Sequence, residues 1–141
     1  MAFAQVISDL RRIFRSRLEG SGREGAGLAA SDIDRWAGEI GATRNALYDC
    51  IGVYLARGFY AGELPFQFCD AVVNNLSGFI HTAHLRGEPL EGAPPLFWSV
   101  FLAFDAGEYY HDNNRNEDPV AVYTRPLIAR IIEENTGFSP P

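Results

Sequence analysis

Residues 96–104 read Leu-Phe-Trp-Ser-Val-Phe-Leu-Ala-Phe, the most apolar stretch of the chain. A helix that is apolar on every side is typical of an element enclosed by others. The stretch is about half as long as a helix that crosses a bilayer. We therefore predict a buried helix over about residues 95–110, wrapped on all sides by the rest of the fold.

On both sides of this stretch, apolar residues recur at spacings of three and four, the period of a helix with one buried face. The pattern predicts an N-terminal helix over 3–19, joined by a glycine-rich connector over 20–30. A second long pattern covers 65–85, and no alternating pattern indicates strands. We expect an all-α fold, an irregular bundle of five to seven helices forming a single domain over 1–141.

Charge is distributed unevenly along the chain. The net charge is -6 over 141 residues, and every basic residue is an arginine. Residues 1–60 hold eight arginines against seven acids, whereas residues 61–141 hold four against eleven. An acidic half repels nucleic acid and anionic membranes and attracts basic surfaces. We expect a basic protein partner rather than nucleic acid or a membrane.

The two cysteines, Cys50 and Cys69, stand in apolar surroundings and form no C-x-x-C pair. This pattern predicts buried, reduced thiols in a cytoplasmic protein, and the first residues do not resemble a secretion signal. The sequence contains no phosphate-binding loop, dinucleotide fingerprint or nucleophile elbow. We therefore expect no cofactor and no catalytic residue, and a non-enzymatic role is favoured over an enzymatic one.

Acidic residues follow directly on the apolar segment. Asp105, Glu108 and Asp112 are spaced by three and four, and Glu108 continues a face of apolar side chains. A buried acid is costly unless it is paired. We expect Asp105 and Glu108 to pair with Arg125 or Arg130. The alternative is a functional carboxylate with a raised pKa.

A polar stripe runs along the predicted helix over 65–85. Its members fall on one narrow face: Gln67, Asp70, Asn74, Ser77, His81 and His84. Amides, a hydroxyl and imidazoles suit recognition or a hydrogen-bond network better than simple solvation. Asp70, Asn74 and His81 are the candidate binding residues, and Asp70 with His81 are possible metal ligands. A plain solvent face of short side chains is the competing interpretation.

From Ile33 to Cys50, within residues 31–57, the chain resembles the helix-turn-helix of bacterial repressors, because Ala37 stands four residues before Gly41 and apolar residues flank the turn. The resemblance implies that the helix after Thr43 reads DNA through Arg44, Asn45 and Tyr48. An ordinary helical hairpin has the same pattern, and the chain lacks the basic footprint that DNA binding requires. We therefore favour the hairpin.

Three functions follow from these patterns. The favoured one is a protein-binding or inhibitory module that acts on a basic partner through its acidic C-terminal half. Its predicted binding residues there are Asp105, Glu108, Tyr109 and Asp112. The alternatives are a DNA-binding regulator using 31–57 and a metal-dependent enzyme with its site between the helices over 65–85 and 95–112.

Overall fold

The computed structural model describes residues 2–20, 27–87 and 94–141, and within these ranges the chain is helical and contains no strand. Seven α-helices follow one another: α1 Ala2–Ile13, α2 Arg15–Glu19, α3 Ala30–Ile40, α4 Arg44–Tyr60, α5 Phe66–Leu85, α6 Pro95–Asp105 and α7 Arg125–Glu134. A 3-10 turn at His111–Asn113 and a π-helical turn at Val120–Thr124 separate α6 from α7. The predicted all-α bundle is confirmed.

The N-terminal helix is interrupted, not continuous as predicted over 3–19. It breaks at Phe14, whose buried ring packs edge-on against Phe68 of α5. Residues 21–26 of the predicted connector over 20–30 lie outside the described residues. At its other end, α3 already begins at Ala30.

The corner between α3 and α4 follows its sequence signals. Gly41 ends α3 with a φ of 66°, a left-handed conformation that glycine adopts without strain. The Thr43 hydroxyl then accepts a hydrogen bond from the Ala46 amide at 3.1 Å and caps α4. On the other side of α3, the buried Asp9 carboxylate of α1 accepts the indole N–H of Trp36 at 2.9 Å. This hydrogen bond ties α1 to α3.

Helix α4 is the centre of the bundle. Ten of its seventeen residues are buried, and it packs against α3, α5, α6 and α7. Gly52 allows α6 to approach closely, since a Cβ there would lie 3.2 Å from the Phe97 Cα. The Asp49 carboxylate of α4 accepts the Phe97 amide at 2.8 Å, which satisfies a free donor in the first turn of α6.

Helix α6 is buried on one face only, so the prediction that residues 95–110 are wrapped on all sides is wrong. Phe97, Val100, Ala103 and Phe104 are buried, but Trp98 and Leu102 are 40% and 50% exposed. An unbroken apolar run has no period, and the sequence therefore does not distinguish the inner face from the outer one. The helix also ends at Asp105, five residues before the predicted end.

Candidate functional site

The start of α5 lies beside the end of α6. The rings of Phe66 and Phe104 are 6.0 Å apart, and Asn74 Nδ2 donates a hydrogen bond to Glu108 Oε1 at 3.0 Å. Asp70 stands one turn before Asn74 and shares its face of α5. Residues predicted from separate patterns therefore meet at one place.

Three carboxyl groups, those of Asp70, Asp105 and Glu108, influence one another at this junction. Burial raises the pKa of Asp70 to about 7, together with a hydrogen bond to Glu108 and the charges of Glu108 and Asp105; Arg17 acts weakly in the opposite direction. Burial, then the hydrogen bond and charge of Glu108, also raise the pKa of Asp105. We call these three side chains the acidic patch.

The three carboxyl groups are not equally exposed to solvent. Glu108 is exposed, while Asp105 and Asp70 are half-buried. The Oδ1 atom of Asp70 is buried and accepts no hydrogen bond from any described residue. The acidic patch is therefore open to water at Glu108, whereas one carboxyl oxygen of Asp70 is shielded from it.

Close packing of the turn after α6 brings Glu108 to α5. A Cβ at Gly107 would collide with the Thr124 hydroxyl and lie 2.9 Å from Phe66 Cε2. Thr124 is itself buried and donates a hydrogen bond to the Ala103 carbonyl at 2.8 Å. Sequence reasoning missed Gly107 and Thr124, because nothing local distinguishes them from ordinary turn residues.

The predicted pairing of Asp105 and Glu108 with Arg125 or Arg130 is not what the structure contains. The Arg125 guanidinium lies 5.4 Å from the ring centroids of both Phe59 and Tyr60, and Arg130 Nε binds Glu134 at 2.9 Å. Glu108 does not continue a buried face either, since α6 ends before it and its side chain is exposed.

The segment after the acidic patch carries a stack of aromatic rings. The His111 imidazole lies between the rings of Tyr109 and Tyr123, with centroids 4.3 Å and 3.7 Å away. Its Nε2 atom is 2.8 Å from the Ala106 carbonyl oxygen. The side chain of Asp112 is exposed, and its backbone adopts a left-handed conformation with a φ of 52°. These contacts hold the segment in one shape, and Tyr109 remains 52% exposed.

Two predicted binding residues lie apart from the three carboxyls. Asp112 belongs to the aromatic segment, where its charge helps to raise the pKa of Tyr123 after the larger effects of burial and Glu117. His81 is exposed and stands eleven residues beyond Asp70 on α5, about 16 Å along the helix axis. The described part of the chain contains no group of three or more side chains that could hold a metal ion, so nothing there supports the metal-enzyme alternative.

The helix predicted to read DNA in the helix-turn-helix alternative is α4, the core helix of the bundle. Tyr48 is buried, with its ring 5.8 Å from that of Phe97. Arg44 forms a two-pronged ion pair with Asp34, at 2.7 and 2.9 Å, and Asn45 is half-buried. The packing of α4 against four other helices favours the hairpin interpretation over a helix that enters a DNA groove.

No helix within the described ranges is long and apolar enough to cross a membrane. Searches against family models, curated proteins and solved structures find no match to this chain.

Proposed function

We propose that this protein is a protein-binding module that receives a basic segment of a partner on the acidic patch. The observation that carries the proposal is the hydrogen bond that holds the exposed Glu108 against Asn74 of α5, one turn from Asp70. There, burial and then the influence of Glu108 and Asp105 raise the pKa of Asp70. A guanidinium or ammonium group would relieve their mutual repulsion and bind by charge-assisted hydrogen bonds. Such binding inhibits or regulates a partner when the captured segment belongs to its functional surface.

Exposed apolar residues lie next to the acidic patch. Trp98, Leu102 and Asp105 follow one another on one face of α6 at spacings of four and three, and the Trp98 ring stacks on the half-buried Phe101 at 5.0 Å. Protein interfaces commonly combine an aromatic centre with a polar rim. This arrangement favours a partner segment that carries an apolar side chain together with its arginine or lysine.

Rigidity of the aromatic segment also supports a binding role. Tyr109 is fixed by its stack with His111 and presents an exposed ring beside Glu108. An aromatic face next to carboxylates is a favourable position for a cation. Because the stack exists before binding, little conformational entropy is lost when a partner docks.

The reducing cytoplasm is the compartment we propose for this activity. Cys50 and Cys69 are both buried free thiols, and burial raises the pKa of each, with smaller contributions from the neighbouring aspartates. Thiols of this kind persist unoxidised in a reducing environment.

A selection from a random displayed peptide library tests the binding proposal, because such a library does not require a known partner. The target is the wild-type protein, and the counter-target is the double variant Asp105→Asn/Glu108→Gln. We expect enriched peptides to contain arginine or lysine beside an aromatic or aliphatic residue, to bind more weakly in high salt, and to lose at least tenfold in affinity for the double variant.

The matched control is the double variant Glu63→Gln/Glu133→Gln, which removes two exposed acids away from the acidic patch. Its net charge equals that of Asp105→Asn/Glu108→Gln. It should bind the selected peptides like the wild type. Equal losses of peptide affinity in the two double variants would show that net charge, not the acidic patch, is responsible, and would contradict the proposal. Enrichment of acidic or uncharged peptides would also refute it.

A further inference from the structure

We propose that a cavity between α1, α4 and the C-terminal segment, residues 136–141, binds a free α-amino acid with an apolar side chain. The carboxylate of the ligand binds Arg57 and its ammonium group binds Glu63, and both of these residues line the cavity. The cavity volume of about 370 Å³ lies within the range of about 300–1,000 Å³ that is typical of small-molecule sites. No residue of the acidic patch lines the cavity, so this site is separate from the proposed protein-binding surface.

The walls of the cavity are largely apolar. Phe3 of α1 and Val53 of α4 are buried, and the half-buried Phe138 lines the cavity from the C-terminal segment. The Tyr54 hydroxyl accepts a hydrogen bond from Arg11 Nη1 at 3.2 Å, which fixes the Tyr54 ring at the cavity wall. These surfaces suit the hydrocarbon part of a ligand, and they therefore favour a ligand with an apolar side chain.

Arg57 is the cationic group of the cavity. Its Nη2 atom donates hydrogen bonds to the carbonyl oxygens of Asn135 at 3.3 Å and Phe138 at 2.8 Å, so the half-buried guanidinium is held in place beside the C-terminal segment. The other two nitrogens, Nε and Nη1, also carry N–H donors, and they donate to no residue that the structure describes. A carboxylate would accept these donors in charge-assisted hydrogen bonds.

Glu63 is the anionic group of the cavity. Its backbone amide donates to the Gly58 carbonyl oxygen at 2.9 Å, so the chain folds back after α4 and brings Glu63 beside the residue that follows Arg57. The Glu63 carboxylate is exposed, and it pairs with neither Arg57 nor any other side chain in the described ranges. Two opposite charges therefore line one cavity without neutralising each other.

A ligand that carries both charges satisfies both groups. A simple carboxylate would bind Arg57 but would be repelled by Glu63, and a simple amine would meet the reverse situation. A free α-amino acid holds its carboxylate and its ammonium group on one carbon, which leaves its side chain free to contact the apolar walls. The combination of an apolar wall, a cation and an anion therefore selects an apolar amino acid over either singly charged analogue.

Backbone-amide NMR titration of the whole chain tests the site with L-phenylalanine and L-leucine as probes. We expect saturable shifts at Val53, Gly58 and Phe138 for at least one of the two. Two analogues of L-phenylalanine each remove one charge: 3-phenylpropionate lacks the ammonium group, and L-phenylalaninamide lacks the carboxylate. Each analogue should bind about tenfold more weakly than L-phenylalanine or worse. L-Phenylalaninamide tests the contact with Arg57 without disturbing the C-terminal segment that Arg57 holds.

Two variants test the walls and the anion. Ala61→Trp fills the cavity from an exposed lining position and should abolish binding of both amino acids, whereas its control Ala121→Trp, at an exposed position outside the cavity, should bind like the wild type. Glu63→Gln should weaken L-phenylalanine by about tenfold and should not weaken 3-phenylpropionate, because only the former has an ammonium group. Glu133→Gln is the matched control for charge.

Three results would overturn the proposal: no saturable shift with either amino acid at millimolar concentration, equal affinity for L-phenylalanine and 3-phenylpropionate, or binding that persists in Ala61→Trp. The two proposed sites fail separately. Asp105→Asn/Glu108→Gln should keep full affinity for the amino acid while losing the selected peptides, and Glu63→Gln should show the reverse.

Discussion

Replacing Asp70 by Asn should stabilise the protein at alkaline pH, because it exchanges a half-buried ionisable carboxyl for a neutral amide. An acid whose pKa is higher in the folded state than in the unfolded state disfavours folding once it is ionised. The pKa of Asp70 is about 7 in the fold against 3.8 for the ordinary group. The contribution of Asp70 to the free energy of unfolding is therefore fully present at about pH 4 and falls as the pH rises to about 7. Above that pH, the ionised carboxylate lowers the free energy of unfolding by its full amount.

The magnitude follows from the same difference in pKa. At about 1.4 kcal/mol per pKa unit, the shift corresponds to at most about 4 kcal/mol. Asp70 is only half-buried, and part of its shift depends on the ionisation of Glu108 and Asp105. Solvent screening and this mutual dependence reduce the expected gain for Asp70→Asn to about 1–2 kcal/mol at pH 8. Near pH 4 the variant and the wild type should be equally stable, because asparagine resembles the protonated acid.

Urea unfolding followed by far-UV circular dichroism, in steps from pH 4 to pH 8, measures this difference. Glu133→Gln, at an exposed position in α7, is the matched control and should follow the wild type throughout. A variant that is less stable than the wild type at pH 8, or a difference that does not depend on pH, would refute the assignment of the repulsion to Asp70.

Three further predictions concern the packing of the helices and of the turn after α6. Gly107→Ala should lower the free energy of unfolding by about 1–3 kcal/mol through overpacking, whereas Gly78→Ala, with open space around its Cβ, should raise it by about 0.5–1 kcal/mol; thermal unfolding compares the two. Asp9→Ala should cost about 1–3 kcal/mol, because the buried Trp36 indole N–H and the exposed donors of Gln5, Arg12 and Arg35 would lose their acceptor. Because these donors lower the pKa of Asp9, that difference should shrink as the pH falls below 4. Phe104→Ala should cost about 3–5 kcal/mol, and Phe101→Ala less than half of that, since Phe101 is half-buried; equal costs in urea unfolding would contradict the observed orientation of α6.

The parts of the fold that depend on local signals were predictable. Gly41 and Thr43 mark the corner between α3 and α4 because a left-handed stop and a side-chain cap act within one turn of the chain. The apolar stripe on α5 likewise predicts its buried face, on which Cys69 is fully buried. Each of these signals is complete within a few residues.

Features that depend on contacts between distant segments were not predictable. Leu96–Phe104 has no polar period, so its exposed face at Trp98 and Leu102 is decided by the place that α6 finds against α4. The acidic patch joins Asp70 to Glu108 across thirty-eight positions of sequence. Their meeting depends on how tightly Gly107 packs, which no spacing rule expresses.

The local environment gives a reason to regard the acidic patch as selected for a role other than stability. Asn74, one turn from Asp70 on the same face, shows that a neutral amide fits beside Glu108 and donates a hydrogen bond to it. An aspartate at position 70 instead introduces repulsion and leaves Oδ1 buried without a partner among the described residues. Packing alone does not require that charge. Residues that break a local rule at a cost in stability are characteristic of functional sites. A guanidinium or ammonium group of a bound partner is the simplest group that would make this acid favourable.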